Sequence, residues 1–272
     1  MSFDRQIHLA TWNINSVRLR IDQVRQFVEE AKIDVLCLQE IKCHEGEFPS
    51  QAFIDMGLPH LAICGQKGWH GVAIASRHPL ERIEAPVACR EGHARVVAVR
   101  VLGVDVHNYY VPAGGDEPDP QINPKFDHKL DFLRNMRAAY SGLAPDARIL
   151  VVGDLNIAPG ENDVWSHRQM LKVVSHTPVE VEALRAVEAA GAFVDLPRRA
   201  VPEPTKLYSW WSYRAQDFRS SNRGLRLDHI WATPSLAPLA DADGACTAKV
   251  HDAVRGWERP SDHAPVSVIL SL

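Results

Sequence analysis

Cysteine is scarce in this chain and arranged for no obvious task. The five cysteines, Cys37, Cys43, Cys64, Cys89 and Cys246, are odd in number and scattered, with no C-x-x-C pair. That argues against a structural zinc site or a disulfide framework, and a reducing cytoplasm is the simplest compartment. Other signatures are missing as well: H-E-x-x-H, a Walker lysine loop, and the G-x-S-x-G and Cys-His hydrolase patterns. No apolar run approaches the ~20 residues of a membrane span. The first residues, Met1-Ser2-Phe3-Asp4-Arg5-Gln6, lack the cationic and apolar regions of a signal peptide. A net charge of −4 withholds the overall basic character common in nucleic-acid binders. Hydrophobic content of 46% and charged content of 24% are those of an ordinary soluble globular protein.

Against these absences stand four segments in which an apolar run meets a polar group. They are Ile7–Asn13, Val35–Glu40, Ile149–Asn156, and Ser261-Asp262-His263 just ahead of Ala264–Leu270. Runs of this length and β-branched content read as buried strands. Polar residues at the ends of several buried strands converge on one rim of a sheet, where ligands bind. Asn13 and Asn15, and again Asp154 and Asn156, are two apart, so on an extended chain each pair projects to one side. Oxygen ligands plus one imidazole, with no thiolate cluster, suit a hard divalent cation handling a phosphate.

Each of these residues also has a plainer reading. Glu40 at a strand end can simply reach solvent, Asp154 and Asn156 can form an Asx turn into Ala158-Pro159-Gly160, and Ser261-Asp262-His263 can be a surface turn. As chemistry, Asp154 beside Asn156 can orient a water and accept its proton while the amide holds a phosphate oxygen. His263, flanked by Asp262, suits developing negative charge, and Asp228 is a candidate buried partner for its ring. His229 points the other way by strand alternation. His70, in a Gly-rich loop, reads as structural or as a phosphate contact.

Strand and helix patterns alternate along the chain. Helices are expected over Leu19–Ala31, Lys125–Tyr140 and Val179–Ala190, the last ended by Gly191. Strands are expected over Asp34–Gln39, Leu61–Cys64, Gly71–Ser76, Ala94–Val101, Val104–Tyr110, Ile149–Gly153, Leu227–Trp231, Thr247–Val250 and Pro265–Leu270. Pro112–Pro124 reads as a long surface loop. No compositional break marks a boundary, so one domain over residues 1–272 is expected, an α/β layered sandwich. Between Arg198 and Arg226 seven Lys or Arg residues face only Glu203 and Asp217, interleaved with Tyr208, Trp210, Trp211, Tyr213 and Phe218. Such a segment suits a phosphate backbone or, equally, a surface loop with its aromatics in the core.

Taken together, Thr11-Trp12-Asn13-Ile14-Asn15-Ser16, Leu38-Gln39-Glu40-Ile41-Lys42, Gly153-Asp154-Leu155-Asn156-Ile157-Ala158-Pro159 and Ser261-Asp262-His263 resemble the exonuclease III family of abasic-site endonucleases. The match is in order and spans nearly the whole chain. Ser209-Trp210-Trp211-Ser212-Tyr213-Arg214 and Asn222-Arg223-Gly224-Leu225-Arg226-Leu227-Asp228 resemble the DNA-repair branch of that fold rather than its phosphoinositide phosphatases.

The resemblance implies a four-layer α/β sandwich with two packed mixed β-sheets flanked by helices. It implies a metal site built from Asn13, Glu40 and Asp262, with Asp154, Asn156 and His263 close enough to contribute. The ion would be Mg²⁺, with Mn²⁺ as its substitute. Tyr110, Asp154, Asn156, Asp228 and His263 would be catalytic. Lys42, His70, Trp210, Asn222, Arg223, Leu225 and Leu227 would hold substrate, with Trp210, Leu225 and Leu227 as the apolar wall around a base-less sugar. The implied activity is incision of duplex DNA 5′ to abasic sites together with 3′-to-5′ exonuclease action, by a monomer; a phosphoesterase of the same fold acting on a small or lipid phosphate is the alternative. One departure stands out: Ala113-Gly114-Gly115-Asp116-Glu117-Pro118-Asp119-Pro120 brings three acids close to the expected DNA track.

Overall fold

The structure, a computed structural model, describes residues 6–87, 89–214 and 217–272. The reading of Met1 to Arg5 as leaderless falls outside those residues. Two six-stranded mixed sheets pack face to face, with helices on their outer faces. The first sheet runs, edge to edge, Lys249–Val250, Val266–Ser271, Gln6–Asn13, Val35–Gln39, Val72–Ser76 and His60–Cys64. The second runs Glu81–Ile83, Val96–Val101, Val104–Tyr110, Ile149–Asp154, Asp228–Ala232 and Val194–Asp195.

Alternation along the strands builds the layers. Leu9, Val35, Cys37 and Val268 of the first sheet meet Val99, Val106, Val152 and Ile230 of the second in an inter-sheet core. Trp12, Leu36 and Leu38 turn outward onto Val24, Phe27 and Val28 of helix Ile21–Ala31. On the far side, Tyr109, Val151 and Trp231 pack on Phe132, Leu133 and Met136 of helix Pro124–Tyr140, and on Leu184 and Val187 of helix Pro178–Ala190. Each such aliphatic side chain contributes roughly 1.5–3 kcal/mol on burial, so three cores in series hold four layers together.

The inter-sheet space turns polar as it nears one rim. Gln39 Nε2 donates to Thr11 Oγ1 (2.9 Å) and to Asn108 Oδ1 (2.6 Å). Asn108 Nδ2 in turn donates to the carbonyls of Leu38 and Ala73, both at 3.0 Å. These buried amides bridge the two sheets directly beneath the site.

The long elements match expectation to within about two residues, the usual uncertainty of an end. Helix Ile21–Ala31 begins two residues later than its apolar spacing suggests, leaving Leu19 exposed. The strand expected from Thr247 is only Lys249–Val250. Helices Ser50–Asp55, His167–Met170, Leu196–Ala200 and Phe218–Ser221 were not foreseen, being too short to show a period. Among the described residues no helix is long and apolar enough to cross a membrane.

Candidate active site

Strand direction brings distant residues to one rim. Strands Gln6–Asn13 and Val35–Gln39 are parallel, so Asn13 ends beside Gln39 with Glu40 next in line. Val266–Ser271 runs antiparallel to Gln6–Asn13, so Ser261, Asp262 and His263 arrive at the same end before it begins. In the second sheet Tyr110 pairs with Asp154 in parallel, and Asp228 pairs with Asp154 in antiparallel register. Gly153 makes the last step feasible: at φ 131°, a Cβ there would lie 2.0 Å from the Tyr109 carbonyl oxygen.

Hydrogen bonds then knit the two sheets together. Asn13 Nδ2 donates to Glu40 Oε1 (3.1 Å) and to Asp154 Oδ2 (2.9 Å). Tyr110 Oη donates to Glu40 Oε1 at 2.7 Å. Asn156 donates its backbone N–H to Asp154 Oδ1 (2.9 Å) and its Nδ2 to Asp154 Oδ2 (3.2 Å) and the Val111 carbonyl (2.9 Å). His263 places Nδ1 2.8 Å from Asp228 Oδ2 and Nε2 3.7 Å from Asp154 Oδ2. Asp262 accepts from Trp210 Nε1 (3.0 Å) and Asn15 Nδ2 (3.2 Å), while Lys42 Nζ sits 2.9 Å from Glu40 Oε2.

One detail corrects the sequence reading, and a second ranks the two carboxylates it offered to His263. Asn15 and Asn156 reach their partners from left-handed backbone (φ 46° and 55°) beyond the strand ends, not by alternation along extended chain. The carboxylate closest to the His263 ring is Asp228, with the adjacent Asp262 a smaller influence.

Charge follows from burial and partners. Burial opposes a charge on His263, but the carboxylates of Asp228 and Asp154 outweigh it and push the ring up to about 10, so it is an imidazolium at neutral pH. Burial pushes Asp154 up to about 7, against the opposing pull of His263. Glu40 is also penalised by burial, yet Lys42 and the bonds from Asn13 and Tyr110 hold it below the usual carboxylate range. Asp262 is lowered too, burial being outweighed by His263, Trp210 and Asn15.

These charges decide which carboxylates suit a hard cation. Potential ligand atoms of Asp154, Asp228 and His263 lie within 4.8 Å of one another, but Asp228 Oδ2 is already engaged with His263 Nδ1 at 2.8 Å, and these carboxylates hold the ring in its protonated form. Ionised Glu40 and Asp262, with amide oxygens nearby, offer the oxygen-donor chemistry that Mg²⁺ takes.

Beside this polar end opens a cavity of about 520 Å³. Its lining combines the polar Glu40, Tyr110, Asp154, Asn156, Asp262 and His263 with the apolar Trp165, Met170, Val174, Trp210, Leu225 and Leu227. Arg223 sits at its edge, the guanidinium 4.6 Å from the Trp165 ring centroid. Its neighbour Asn222 does not line the cavity; it is exposed, and its Oδ1 accepts from Trp211 Nε1 at 3.3 Å. His70 stands at the rim, 5.9 Å ring to ring from Tyr110 and 3.5 Å from Arg95.

The Arg198–Arg226 segment divides between its two readings. Arg226 is buried and forks onto Asp163 (2.7 and 3.0 Å) while reaching Asp195 (2.7 Å). Arg198 joins Asp163, Arg199 joins Asp241, and Lys206 caps the carbonyls of Val164 and Trp165. Four of the seven cations are thus structural, leaving Arg214, Arg219 and Arg223 exposed. Tyr208 and Trp211 are core, whereas Trp210 lines the cavity.

Sequence reading missed Trp165, Met170 and Val174, which come from the connection around the short helix His167–Met170, with no strand or long helix to place them. It also passed over Lys129 and Glu180, both of which are fully buried.

The chain resembles proteins of known structure and name. It is 29% identical to exodeoxyribonuclease III of Haemophilus influenzae over 94% of this chain and 97% of that protein. It is 27% identical to the DNA repair nuclease APEX1 of Danio rerio, over 97% and 82% respectively. An AP endonuclease from Archaeoglobus fulgidus superposes with a TM-score of 0.89 at 29% identity, covering 98% of this chain and all of that one (100%). The 3′ phosphatase NExo from Neisseria, bound to product DNA hairpin, superposes with a TM-score of 0.85 at 30% identity, covering 96% and 98%. The family model for the endonuclease/exonuclease/phosphatase family matches residues 10–263, and the chain belongs to that family.

Proposed function

We propose that this chain is a Mg²⁺-dependent DNA phosphodiesterase of base-excision repair. It incises duplex DNA 5′ to abasic sites and removes nucleotides or blocking groups from 3′ ends. The observation that carries the reading is the single opening shared by an ionised, imidazolium-bearing rim and an apolar wall of Trp165, Trp210, Leu225 and Leu227. A phosphate needs the first and a base-less sugar the second. An abasic nucleotide has no base to unpair, so rotating it out of the duplex costs less than for an intact one. The names of the relatives, among them a 3′ phosphatase and an AP endonuclease, support the same substrate class.

Glu40, Asp262 and Asn13 would hold the cation. A cation held there, Mg²⁺ or Mn²⁺, would supply charge neutralisation for the phosphate and the leaving 3′ oxygen. Asp154 aligns the attacking water and accepts its proton, and Asn156 orients and donates to a phosphate oxygen. The His263 imidazolium, aimed by Asp228, stabilises charge developing on phosphorus, while the Tyr110 hydroxyl holds Glu40 in place. Lys42, His70, Arg223 and Asn222 contact flanking phosphates. The products carry a 3′ hydroxyl and a 5′ phosphate. We take the protein to act as a one-domain monomer in the cytoplasm.

The test is a duplex carrying one tetrahydrofuran abasic analogue, incubated with Mg²⁺ or with EDTA. Incision 5′ to the analogue, abolished by chelation, is expected. Tight binding without cleavage would refute the catalytic reading, and hydrolysis of a phosphoinositide in place of DNA would move the substrate to lipid.

A further inference from the structure

Behind the rim lies an ion pair to which the mechanism above gives no task. Lys129, from helix Pro124–Tyr140, and Glu180, from helix Pro178–Ala190, are each 0% exposed, with Nζ 2.5 Å from Oε2. Neither can touch DNA. Most of their remaining bonds go to backbone groups of the three segments that frame the cavity. Lys129 Nζ donates to the carbonyl of Asn156 (2.8 Å) and to that of Ala113 (3.2 Å). Glu180 Oε1 accepts the N–H of Ser175 (2.8 Å), the N–H of Thr177 (2.9 Å) and the Thr177 hydroxyl (2.7 Å). Ala113, Asn156 and Ser175 all line the cavity.

We propose that Lys129 is a positioning residue for phosphodiester cleavage, fixing Asn156 through its carbonyl, with Glu180 holding the opposite wall in register. The proposal rests on the reading of the rim as a nuclease site. Asn156 has left-handed backbone and lies two residues past the end of its strand, so no sheet bond holds its carbonyl. Lys129 supplies that bond from below, while the Asn156 amide is engaged with Asp154 and Val111 above. The fit is close: a Cβ on Gly114, the residue after Ala113, would lie 2.9 Å from Lys129 Cδ. Burial opposes the charge on Lys129 and Glu180 counters it. Such a pair adds little net stability over an uncharged pair, and although Glu180 also closes a capping box with Thr177 on its own helix, the bonds of Lys129 run only to Glu180 and to the two cavity segments.

Two variants separate positioning from bulk stability. Glu180→Gln keeps an acceptor for Ser175 and Thr177 and leaves Lys129 its bonds to Asn156 and Ala113. The double variant Lys129→Met with Glu180→Gln removes the lysine without leaving a buried carboxylate unpaired. Both are assayed on the abasic duplex at a temperature where circular dichroism shows each fully folded. Glu180→Gln should lower Tm yet keep kcat within about threefold of wild type. The double variant should melt no lower than Glu180→Gln while losing about 10- to 100-fold in kcat, with Kd for DNA unchanged, as expected for a misplaced reacting group. Positioning is overturned if the double variant keeps wild-type kcat, or if kcat follows Tm through both variants. If the wild type itself cleaves no abasic duplex, the rim reading has failed instead.

Discussion

Arg226 lies between two cavity-wall residues, in a segment whose composition suggests a DNA-binding face, yet its bonds are all internal. Asp163 accepts its Nε and one terminal nitrogen, and Asp195 accepts the other terminal nitrogen at 2.7 Å. Both Arg226 and Asp163 are 1% exposed. Arg226→Met would keep much of the side-chain volume and leave Asp163 with only Arg198 and the Gly160 N–H. Breaking a buried pair by deleting one partner costs about 3–5 kcal/mol, and the surviving Arg198 contact places this case near 3. For a chain of this size that is a fall of roughly 6–12 °C in Tm.

A pH signature accompanies the loss. Burial alone would raise the Asp163 carboxyl, but Arg226 and Arg198 hold it well below the usual range. A depressed carboxylate stabilises the fold above its unfolded value, near 4, and that contribution disappears as pH falls further. The stability gap between wild type and Arg226→Met should therefore be full at neutral pH and narrow from about pH 4 downward, measured by urea melts across pH. DNA binding should behave differently. Because Arg226 meets no phosphate, the slope of log K against log salt should not change, whereas Arg223→Ala should reduce it by about one. A salt slope lowered by Arg226→Met, with stability intact, would refute the structural assignment and return this residue to the DNA face.

Two further substitutions probe the rim. Asp154→Asn should cut kcat by about 10²–10⁴ while DNA Kd stays within about threefold, since it removes a proton acceptor and not a surface contact; equal losses in both would mean the residue only positions substrate. Burial raises the Asp154 carboxyl to about 7, so the wild type carries a cost that grows as pH climbs from about 4 to 7, and the variant's relative Tm should rise across that window. Asp228→Asn removes the carboxylate that most raises the ring of His263, which stands at about 10 in the wild type. Activity dependent on an imidazolium falls as pH rises through that value, so the alkaline limb of kcat should move to lower pH in this variant; an unmoved limb would mean His263 is not the titrating group.

How much of this was legible in the sequence depended on whether a residue's neighbours lay along its own element or across the fold. Asn13, Glu40, Asp154 and His263 end or precede long apolar strands, and the parallel or antiparallel sense of those strands is enough to gather them at one rim. Period-2 spacing suggested the Asp154–Asn156 partnership but for the wrong reason, because Asn156 turns back through left-handed backbone. The basic segment misled more. Charge counts along a chain carry no record of the Asp163 and Asp241 carboxylates that absorb Arg198, Arg199 and Arg226 from elsewhere in the fold. Lys129 and Glu180 were invisible for the same reason. Each sits on a helix among other charges, and only packing helix Pro124–Tyr140 against helix Pro178–Ala190 removes both from water. A buried charge is costly unless paired and hydrogen-bonded, so a pair whose further bonds end mainly on the backbone around a cavity carries more information about that cavity than any spacing in the sequence.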